Sequence, residues 1–380
     1  MRIQPVSTAI TLMLAAATVQ ATGEPKRLER LDESLDHKQA KQAETDSVPA
    51  WYRHLDIEIT GLIEVEASDR SAYEGDSESD IRLATAELGI RSQLKDWVEA
   101  GISFLYEQDE TDLEVDTAYL TLANPDVSPL FLTAGQVYVP FGVYETNLVS
   151  DPLTLEIGET RETALQLGFE HSGLSGGVYV FNGDNKVKGK DRIQGWGANL
   201  GFVQEGDDWA WSVGTGYIND LGDSDSLHEI INDNRVGAAE VDPSLSIDPT
   251  ERTAGWTLNA TASFGPFSLI GEYLSASDAF DPISLDFKGE GARPSAWNIE
   301  AGYSFTLLGA ESMVAAGYQG TREALALELP KERWLLGWST EIFDRTSLGL
   351  EWARDHDYNT RAGGTGESGN TFTAQLAVEF

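Results

Sequence analysis

From residue 55 onward, apolar and polar side chains alternate along the chain with a period of two. In the first such segment the odd-numbered positions are the apolar residues Leu55, Ile57 and Ile59, and the even-numbered positions are Asp56 and Glu58. Successive side chains of a β-strand point to opposite faces, so the alternation predicts strands with one apolar and one polar face. A soluble sheet buries its apolar face, whereas a barrel in a membrane presents that face to lipid.

About sixteen alternating segments follow one another to the end of the chain. Their lengths mostly match the roughly 9 to 11 residues that a tilted strand needs to cross a bilayer. The predicted strands are residues 55–67, 81–93, 97–107, 113–122, 130–138, 162–171, 174–182, 193–203, 208–218, 253–264, 267–277, 296–306, 311–321, 332–343, 346–355 and 370–380.

The connectors between these segments alternate between short and long. Short ones such as Lys95-Asp96 and Gly265-Pro266 alternate with long ones such as residues 68–79, 139–161 and 219–249. Outer-membrane barrels have short periplasmic turns and long outer loops. We therefore predict an all-β fold, a transmembrane antiparallel β-barrel of about sixteen strands with both termini on the short-turn side, in a Gram-negative outer membrane.

The chain ends in an alternating strand, TFTAQLAVEF, whose last residue is Phe380. We expect its apolar face to meet lipid and its edge to pair with the first strand, because an unpaired apolar edge invites aggregation. A terminal aromatic residue in this context resembles the signal for assembly, so the barrel assembly machinery is an expected partner. Aromatic residues near the segment ends, such as Trp256, Phe264 and Trp334, predict two girdles at the membrane interfaces.

The first 52 residues differ in kind from the strands. Residues 1–21 have Arg2 near the start, an apolar middle and small residues before Ala21, which predicts a secretory signal peptide. Residues 22–52 are highly charged, and we predict a periplasmic segment that is either a short helix or a solvated tether. The barrel is then assigned to residues 53–380.

The composition excludes several classes of function. With 63 acidic and 26 basic residues and a net charge of -37, the chain would repel nucleic acid. The absence of cysteine excludes thiolate metal sites and cysteine nucleophiles, and we predict no cofactor and no metal. The expected partners are outer-membrane lipid and lipopolysaccharide.

A barrel of about sixteen strands is too wide for side chains to fill, so we predict a water-filled lumen and a transport function. The positions predicted to face the lumen are mostly acidic, and carboxylate rings favour cations. Alternatively, these carboxylates are solvated near the rims or bridged by divalent ions. The predicted lumen-facing acids are Asp56, Glu58, Glu64, Glu66, Glu87, Glu99, Glu107, Asp116, Glu272, Glu300, Glu341 and Glu351.

The connector of residues 139–161 mixes apolar and charged residues and is longer than a covering turn needs. We predict that it folds into the lumen as a constriction, with its apolar side on the wall; the alternative is that it lies over the mouth. The pore-lining candidates are Tyr144, Glu145, Asp151, Glu156, Glu159 and Arg161 of this loop, and Glu87, Arg91, Glu99 and Asp116 of the wall.

Residues 117–170, which read TAYLTLANPDVSPLFLTAGQVYVPFGVYETNLVSDPLTLEIGETRETALQLGFE, resemble the LbtU-type siderophore porins of gammaproteobacteria. GLIEVEA (61–67), SDIRLATAELGI (79–90), FNGD (181–184) and GANLGF (197–202) match the same pattern. The resemblance runs from about Gly61 to the C-terminus and is strongest through residue 202. It implies a sixteen-stranded outer-membrane barrel with a short periplasmic helical extension that takes up an iron-siderophore complex.

The function predicted is therefore passive or facilitated uptake of an iron-siderophore complex, and the alternative is a general cation-preferring porin for small hydrophilic solutes. An enzyme is not predicted. The stretch Gly173-Leu174-Ser175-Gly176-Gly177 fits G-x-S-x-G, but that motif needs a strand-turn-helix elbow, and here a tight turn leads into a strand. A structural or adhesive barrel that only anchors its outer loops is a further alternative function. The oligomeric state is open between a monomer and a homo-oligomer.

Overall fold

A computed structural model of the chain describes residues 56–75, 77–94 and 96–380. The chain forms a closed antiparallel barrel in which each strand pairs with its neighbours in sequence and the last strand pairs with the first. The predicted fold class is confirmed. The barrel strands are β1 (Asp56–Ser71), β2 (Ser77–Gln93), β3 (Val98–Glu107), β4 (Thr111–Ala123), β5 (Leu130–Tyr138), β6 (Arg161–His171), β7 (Leu174–Phe181), β8 (Gly195–Glu205), β9 (Trp209–Ile218), β10 (Gly255–Phe264), β11 (Phe267–Ala276), β14 (Ser295–Leu307), β15 (Ala310–Arg322), β16 (Glu332–Phe343), β17 (Thr346–His356) and β18 (Ser368–Glu379).

The strand boundaries agree closely with those predicted, with one informative exception. The long connector expected at residues 68–79 is shorter, because β1 and β2 continue to pair as far as Ser71 and Ser77. These outer ends have exposed polar residues on both faces, as expected where strands leave the lipid and enter water. The predicted signal peptide and the charged segment 22–52 lie outside the described residues.

The outer surface of the barrel is apolar and the inner surface polar. In β10, Leu258 is 56% exposed on the outside, whereas Thr257 and Asn259, at 0% and 8%, face inward. Trp256 and Phe264 lie near the two ends of this strand. At a rise of about 3.3 Å per residue, they are ~26 Å apart along the strand. Because strands of such barrels are tilted by about 35–45°, this corresponds to a height of about 20 Å, most of the roughly 25 Å apolar band.

Aromatic side chains form a continuous belt at the outer end of the barrel, from β8 to β16. Four pairs of ring centroids within it lie 4.5–6.4 Å apart, among them Trp196 with Tyr217 at 5.2 Å and Tyr318 with Trp334 at 4.5 Å, and strand register joins these pairs to one another. We call these residues the outer belt: Trp196, Tyr217, Trp256, Tyr273, Trp297, Tyr318 and Trp334.

The connectors at the outer end contain the remaining regular structure. Helix α1 (Leu153–Gly158) lies between β5 and β6, helix α2 (Asp225–Val241) lies between β9 and β10, and the short strands β12 (Asp286–Phe287) and β13 (Glu290–Gly291) lie between β11 and β14. No helix in the described part of the chain is both long enough and apolar enough to cross a membrane.

Candidate functional site

The connector between β5 and β6, residues 139–160, folds into the barrel along its inner wall. Near its start, the Phe141 carbonyl oxygen accepts a hydrogen bond from Thr257 Oγ1 of β10. The connector then passes β11, β14, β15 and β16 and reaches β17, where the Val149 N–H donates to Glu351 Oε2 at 2.7 Å. We call residues 139–160 the infolded loop. The loop ends one residue earlier than the predicted connector of residues 139–161, because Arg161 already belongs to β6.

Three wall glutamates bind successive parts of the infolded loop. Glu272 of β11 accepts the N–H groups of Val143 at 2.9 Å and Tyr144 at 3.1 Å. Glu300 of β14 accepts the Asn147 N–H and the Thr146 Oγ1 hydroxyl, each at 2.7 Å.

The third glutamate, Glu351 of β17, accepts the N–H groups of Val149 at 2.7 Å and Ser150 at 3.1 Å. All three carboxylates are at most 6% exposed. A buried carboxylate needs such donors, and hydrogen bonds to a charged acceptor are the stronger kind. These three residues are called the loop anchors below.

The infolded loop is extended here, and its side chains alternate between buried and half-buried positions. Tyr144, Thr146 and Leu148 are 5%, 1% and 2% exposed and face the wall. The residues between them, Glu145 and Asn147, are only half-buried. The loop therefore packs alternate side chains closely against the wall, and the side chain of Asn147 also donates hydrogen bonds to Glu300 Oε1 and Ser268 Oγ of the wall.

Inward-facing glycines make room for the infolded loop. A Cβ at Gly337 of β16 would lie 2.6 Å from Leu148 Cδ2, and a Cβ at Gly317 of β15 would lie 2.9 Å from Leu148 Cδ1. At Gly216 of β9 a Cβ would lie 1.9 Å from the Phe141 carbonyl oxygen. A backbone atom cannot move away as a side chain can, so any larger residue at Gly216 would displace the start of the loop.

The second half of the infolded loop returns along the same wall as helix α1. The Leu153 N–H donates to Gln319 Oε1 at 3.1 Å, and Thr154 Oγ1 donates to Glu272 Oε2 at 2.9 Å. Leu153 and Ile157 are both fully buried. Glu272 thus joins the outgoing and the returning halves of the loop.

Helix α2, which belongs to an outer connector, packs on the returning half of the infolded loop. Its Asp225 N–H donates to the Glu159 carbonyl oxygen at 3.0 Å. Leu227 and Ile231, one turn apart on α2, pack in the same apolar cluster as Leu153 and Ile157. The outer loops and the infolded loop therefore form one packed unit on this side of the barrel.

The arc of the barrel formed by β1 to β4 carries paired charges. Arg91 Nη2 lies 2.9 Å from Glu58 Oε2, and its Nη1 lies 4.0 Å from Glu99 Oε2. Arg82 Nη2 lies 3.1 Å from Glu66 Oε2. The arginines and carboxylates are thus held side by side on the arc that the infolded loop does not follow.

Arg161 lies at the neck of the infolded loop, where the chain re-enters the barrel wall. Its Nη1 lies 3.2 Å from Asp116 Oδ1 and also contacts Glu114. Asp116, 4% exposed, accepts hydrogen bonds from the Tyr138 hydroxyl at 2.7 Å and from Ser103 Oγ at 3.0 Å. Asp116 therefore joins the two ends of the loop to β3 and β4.

The structure separates the ten pore-lining candidates into groups. It brings Arg161 together with Asp116 and Arg91 together with Glu99. Tyr144 is 5% exposed and does not line the lumen, because its side chain lies on the side of the loop that packs against the barrel wall. Asp116 is buried, and the other eight candidates are half-buried: Glu87, Arg91, Glu99, Glu145, Asp151, Glu156, Glu159 and Arg161.

Two of these loop carboxylates have perturbed acidity. Burial raises the pKa of Glu156, and burial together with the neighbouring Asp225 raises the pKa of Glu159 well above its usual range. Glu159 Oε2 has no hydrogen-bond partner among the described residues. Burial and a neighbouring negative charge both favour the neutral form of a carboxyl group.

Sequence reasoning placed Glu272, Glu300 and Glu351 in the lumen but did not identify them as loop anchors. Nothing in the local pattern distinguishes an inward glutamate that binds a loop from one that faces water. It also missed helix α2, for which the sequence offers a signal: Ser224 precedes Leu227 and Ile231, which are spaced by four residues.

The stretch that fits G-x-S-x-G has the predicted geometry. Ser172 and Gly173 form the tight turn between β6 and β7, and Ser175 lies within β7. The strand-turn-helix elbow that positions a nucleophilic serine is therefore replaced by a β-hairpin.

No protein-family model matches the chain. Curated relatives are UPF0422 proteins. One from Legionella pneumophila is 28% identical over 356 residues, which cover 85% of this chain and 66% of the relative. One from Coxiella burnetii is 29% identical over 352 residues, which cover 85% of this chain and 72% of the relative. The chain thus spans about two thirds of the length of the Legionella relative.

Solved structures with the same fold are outer-membrane porins. An anion-selective porin from Comamonas acidovorans has a TM-score of 0.57 at 13% identity, with 86% of this chain and 100% of that chain covered. OprB from Pseudomonas putida has a TM-score of 0.59 at 8% identity, with 87% and 95% covered. OmpT from Vibrio cholerae in its trimer form has a TM-score of 0.54 at 11% identity, with 86% and 99% covered. The chain has the fold of outer-membrane porins, and its apolar outer surface and aromatic belt place it in that membrane.

Proposed function

We propose that the chain is an outer-membrane channel in which the infolded loop sets the size and the charge of the opening. The observation that carries this proposal is the series of hydrogen bonds from the loop backbone to Glu272, Glu300 and Glu351. These bonds hold the loop inside a barrel too wide to be filled by its own side chains. Solutes would pass between the loop and the arc formed by β1 to β4.

The proposed solute is an iron-siderophore complex, which crosses by passive or facilitated diffusion. The resemblance to siderophore porins supports it, because that resemblance is strongest over residues 117–170, which include the infolded loop. The alternative is a general porin for small hydrophilic solutes, and the acidic lumen supports a cation-preferring pore. An acidic lumen would pass neutral or cationic iron complexes more readily than anionic ones.

Uptake of radiolabelled iron tests the choice between the two solutes. A strain without the gene is compared with the parent for several siderophores and for small sugars. We expect a large defect for one or more siderophores and normal sugar uptake. Equal defects for every solute would favour the general pore, and normal uptake of every solute would contradict both.

The charge of the lumen predicts cation preference in bare conductance. In planar bilayers with a salt gradient at neutral pH, we expect the reversal potential to show that potassium permeates several-fold better than chloride. A reversal potential of the opposite sign, which indicates anion preference, would contradict this prediction. High ionic strength should weaken the preference, because salt screens the wall charges.

A homo-oligomer is a further proposal. It is supported by the fold shared with a porin that forms a trimer. The barrel assembly machinery stays a proposed partner on account of the fold, which is that of an outer-membrane barrel.

A further inference from the structure

The connector between β7 and β8 concentrates positive charge in an otherwise acidic protein. Lys186, Lys188, Lys190 and Arg192 fall within seven residues, although the whole chain has only 26 basic residues among 380. All four residues are exposed. We call residues 186–192 the basic loop.

The basic loop has a defined conformation that points its charges to the surface. Val187 is 6% exposed, whereas Lys186 and Lys188 on either side of it are exposed. The Lys188 N–H donates to the Pro249 carbonyl oxygen at 2.8 Å. Asn185, directly before the basic loop, donates its backbone N–H to Asp223 Oδ1 at 2.7 Å and its side-chain Nδ2–H to Asp220 Oδ2 at 3.0 Å.

Most of this positive charge is not neutralised within the protein. Lys186 lies 3.8 Å from Asp191, whose other oxygen accepts a hydrogen bond from Asn182 at 2.7 Å. Within the described ranges, Lys188, Lys190 and Arg192 form no ion pair. A cluster of unpaired bases attracts an anionic partner.

The basic loop lies beside apolar surface at the edge of the membrane. Ile193 follows Arg192 directly and is 71% exposed, and Trp196 of the outer belt is 47% exposed three residues further on. The centroid of the Trp196 ring lies 5.2 Å from that of Tyr217, so the outer belt begins directly beside the basic loop. The bases are therefore next to the interface where lipid headgroups lie.

We propose that the basic loop binds the phosphate groups of lipopolysaccharide, the glycolipid of the outer leaflet, while Ile193 and Trp196 contact its acyl chains. A phosphate next to an acyl chain matches bases next to exposed apolar residues. The whole chain has a formal net charge of -37, so acidic surface outside the basic loop would need divalent cations to approach an anionic lipid. The basic loop supplies a contact that needs no such cation. This site is separate from the proposed path of the solute.

Native mass spectrometry of the purified full-length barrel in detergent with EDTA tests the proposal, with bis-phosphorylated lipid A as the probe. The test variant is Lys190→Gln with Arg192→Gln. The matched control is Lys288→Gln with Arg361→Gln, which also removes two exposed bases from outer loops. We expect lipid A to bind about tenfold less tightly to the test variant and as tightly to the control as to the parent.

Three results would overturn the proposal: an equal loss in both variants, no loss in the test variant, or equal binding of dephosphorylated lipid A by the parent. An altered passage of anionic solutes with unchanged lipid binding would instead assign the basic loop to the solute. Folding is checked by the heat-dependent shift in gel mobility. If the test variant does not fold, the parent alone decides: its lipid A binding should fall steeply with added sodium chloride, and salt-independent binding would refute the proposal.

Discussion

Replacing Glu300 and Glu351 by alanine is expected to raise the single-channel conductance several-fold and to make the current fluctuate. Both carboxylates hold the tip of the infolded loop, Glu300 through Thr146 and Asn147 and Glu351 through Val149. Each hydrogen bond to a charged group is worth about 1.5–3 kcal/mol. Without them the loop backbone has unpaired N–H groups against the wall, so the loop should leave it and widen the opening. Planar bilayer recording measures both effects.

The matched control for this variant is Glu341→Ala. Glu341 was also predicted to face the lumen, but it lies at the short-turn end of β16 and accepts the Arg345 N–H at 3.3 Å rather than a loop donor. Its conductance should equal that of the parent. A double variant that conducts as quietly and as weakly as the parent would contradict the role of the loop anchors.

A second route to the same state avoids any change of charge. In Gly216→Ala the new Cβ would meet the Phe141 carbonyl oxygen at 1.9 Å, so the start of the loop must move. In Gly271→Ala, on a neighbouring part of the barrel, the nearest atom is 3.9 Å away. We expect altered conductance only in Gly216→Ala, which would separate loop displacement from electrostatic effects.

The barrel was predictable because its pattern is local. Each strand must present alternate residues to lipid and to water, so even an isolated segment such as residues 255–264 carries the full signal. The alternating connector lengths then supply the orientation. The first outer connector was predicted too long because the strand ends that extend beyond the lipid lose the apolar half of the pattern.

The destination of the infolded loop was only partly predictable. Its mixture of apolar and charged residues indicated that it contacts a wall, and the structure confirms that it folds inward. Its partners on the wall, from β10 to β17, are more than 100 residues away in sequence, as in the bond from Val149 to Glu351. No local period encodes such a pairing. No local period predicts the role of Gly337 either. Gly337 leaves space for the Leu148 side chain only because β16 and the infolded loop come together in the fold.

Replacing Gly61 by leucine is expected to weaken or prevent closure of the barrel. Gly61 and Phe380 exchange two backbone hydrogen bonds, from the Gly61 N–H to the Phe380 oxygen at 2.9 Å and from the Phe380 N–H to the Gly61 oxygen at 3.0 Å. The Phe380 ring lies over Gly61, and a Cβ there would be 2.3–2.8 Å from three ring carbons. An aromatic ring that covers a glycine across two strands stabilises their register, and overpacking typically costs about 1–3 kcal/mol.

The consequence is measurable as loss of the heat-resistant folded form on gels and as a lower unfolding temperature. Gly271→Leu is the matched control, since Gly271 lies in a strand away from the seam and has free space around it. The decisive variant combines Gly61→Leu with Phe380→Ala, because the leucine then occupies the space that the ring has left. We expect this pair to recover part of the lost stability. If the loss of stability in the double variant equals the sum of the losses in the two single variants, the contact between the Phe380 ring and Gly61 does not stabilise the pairing of the first and last strands.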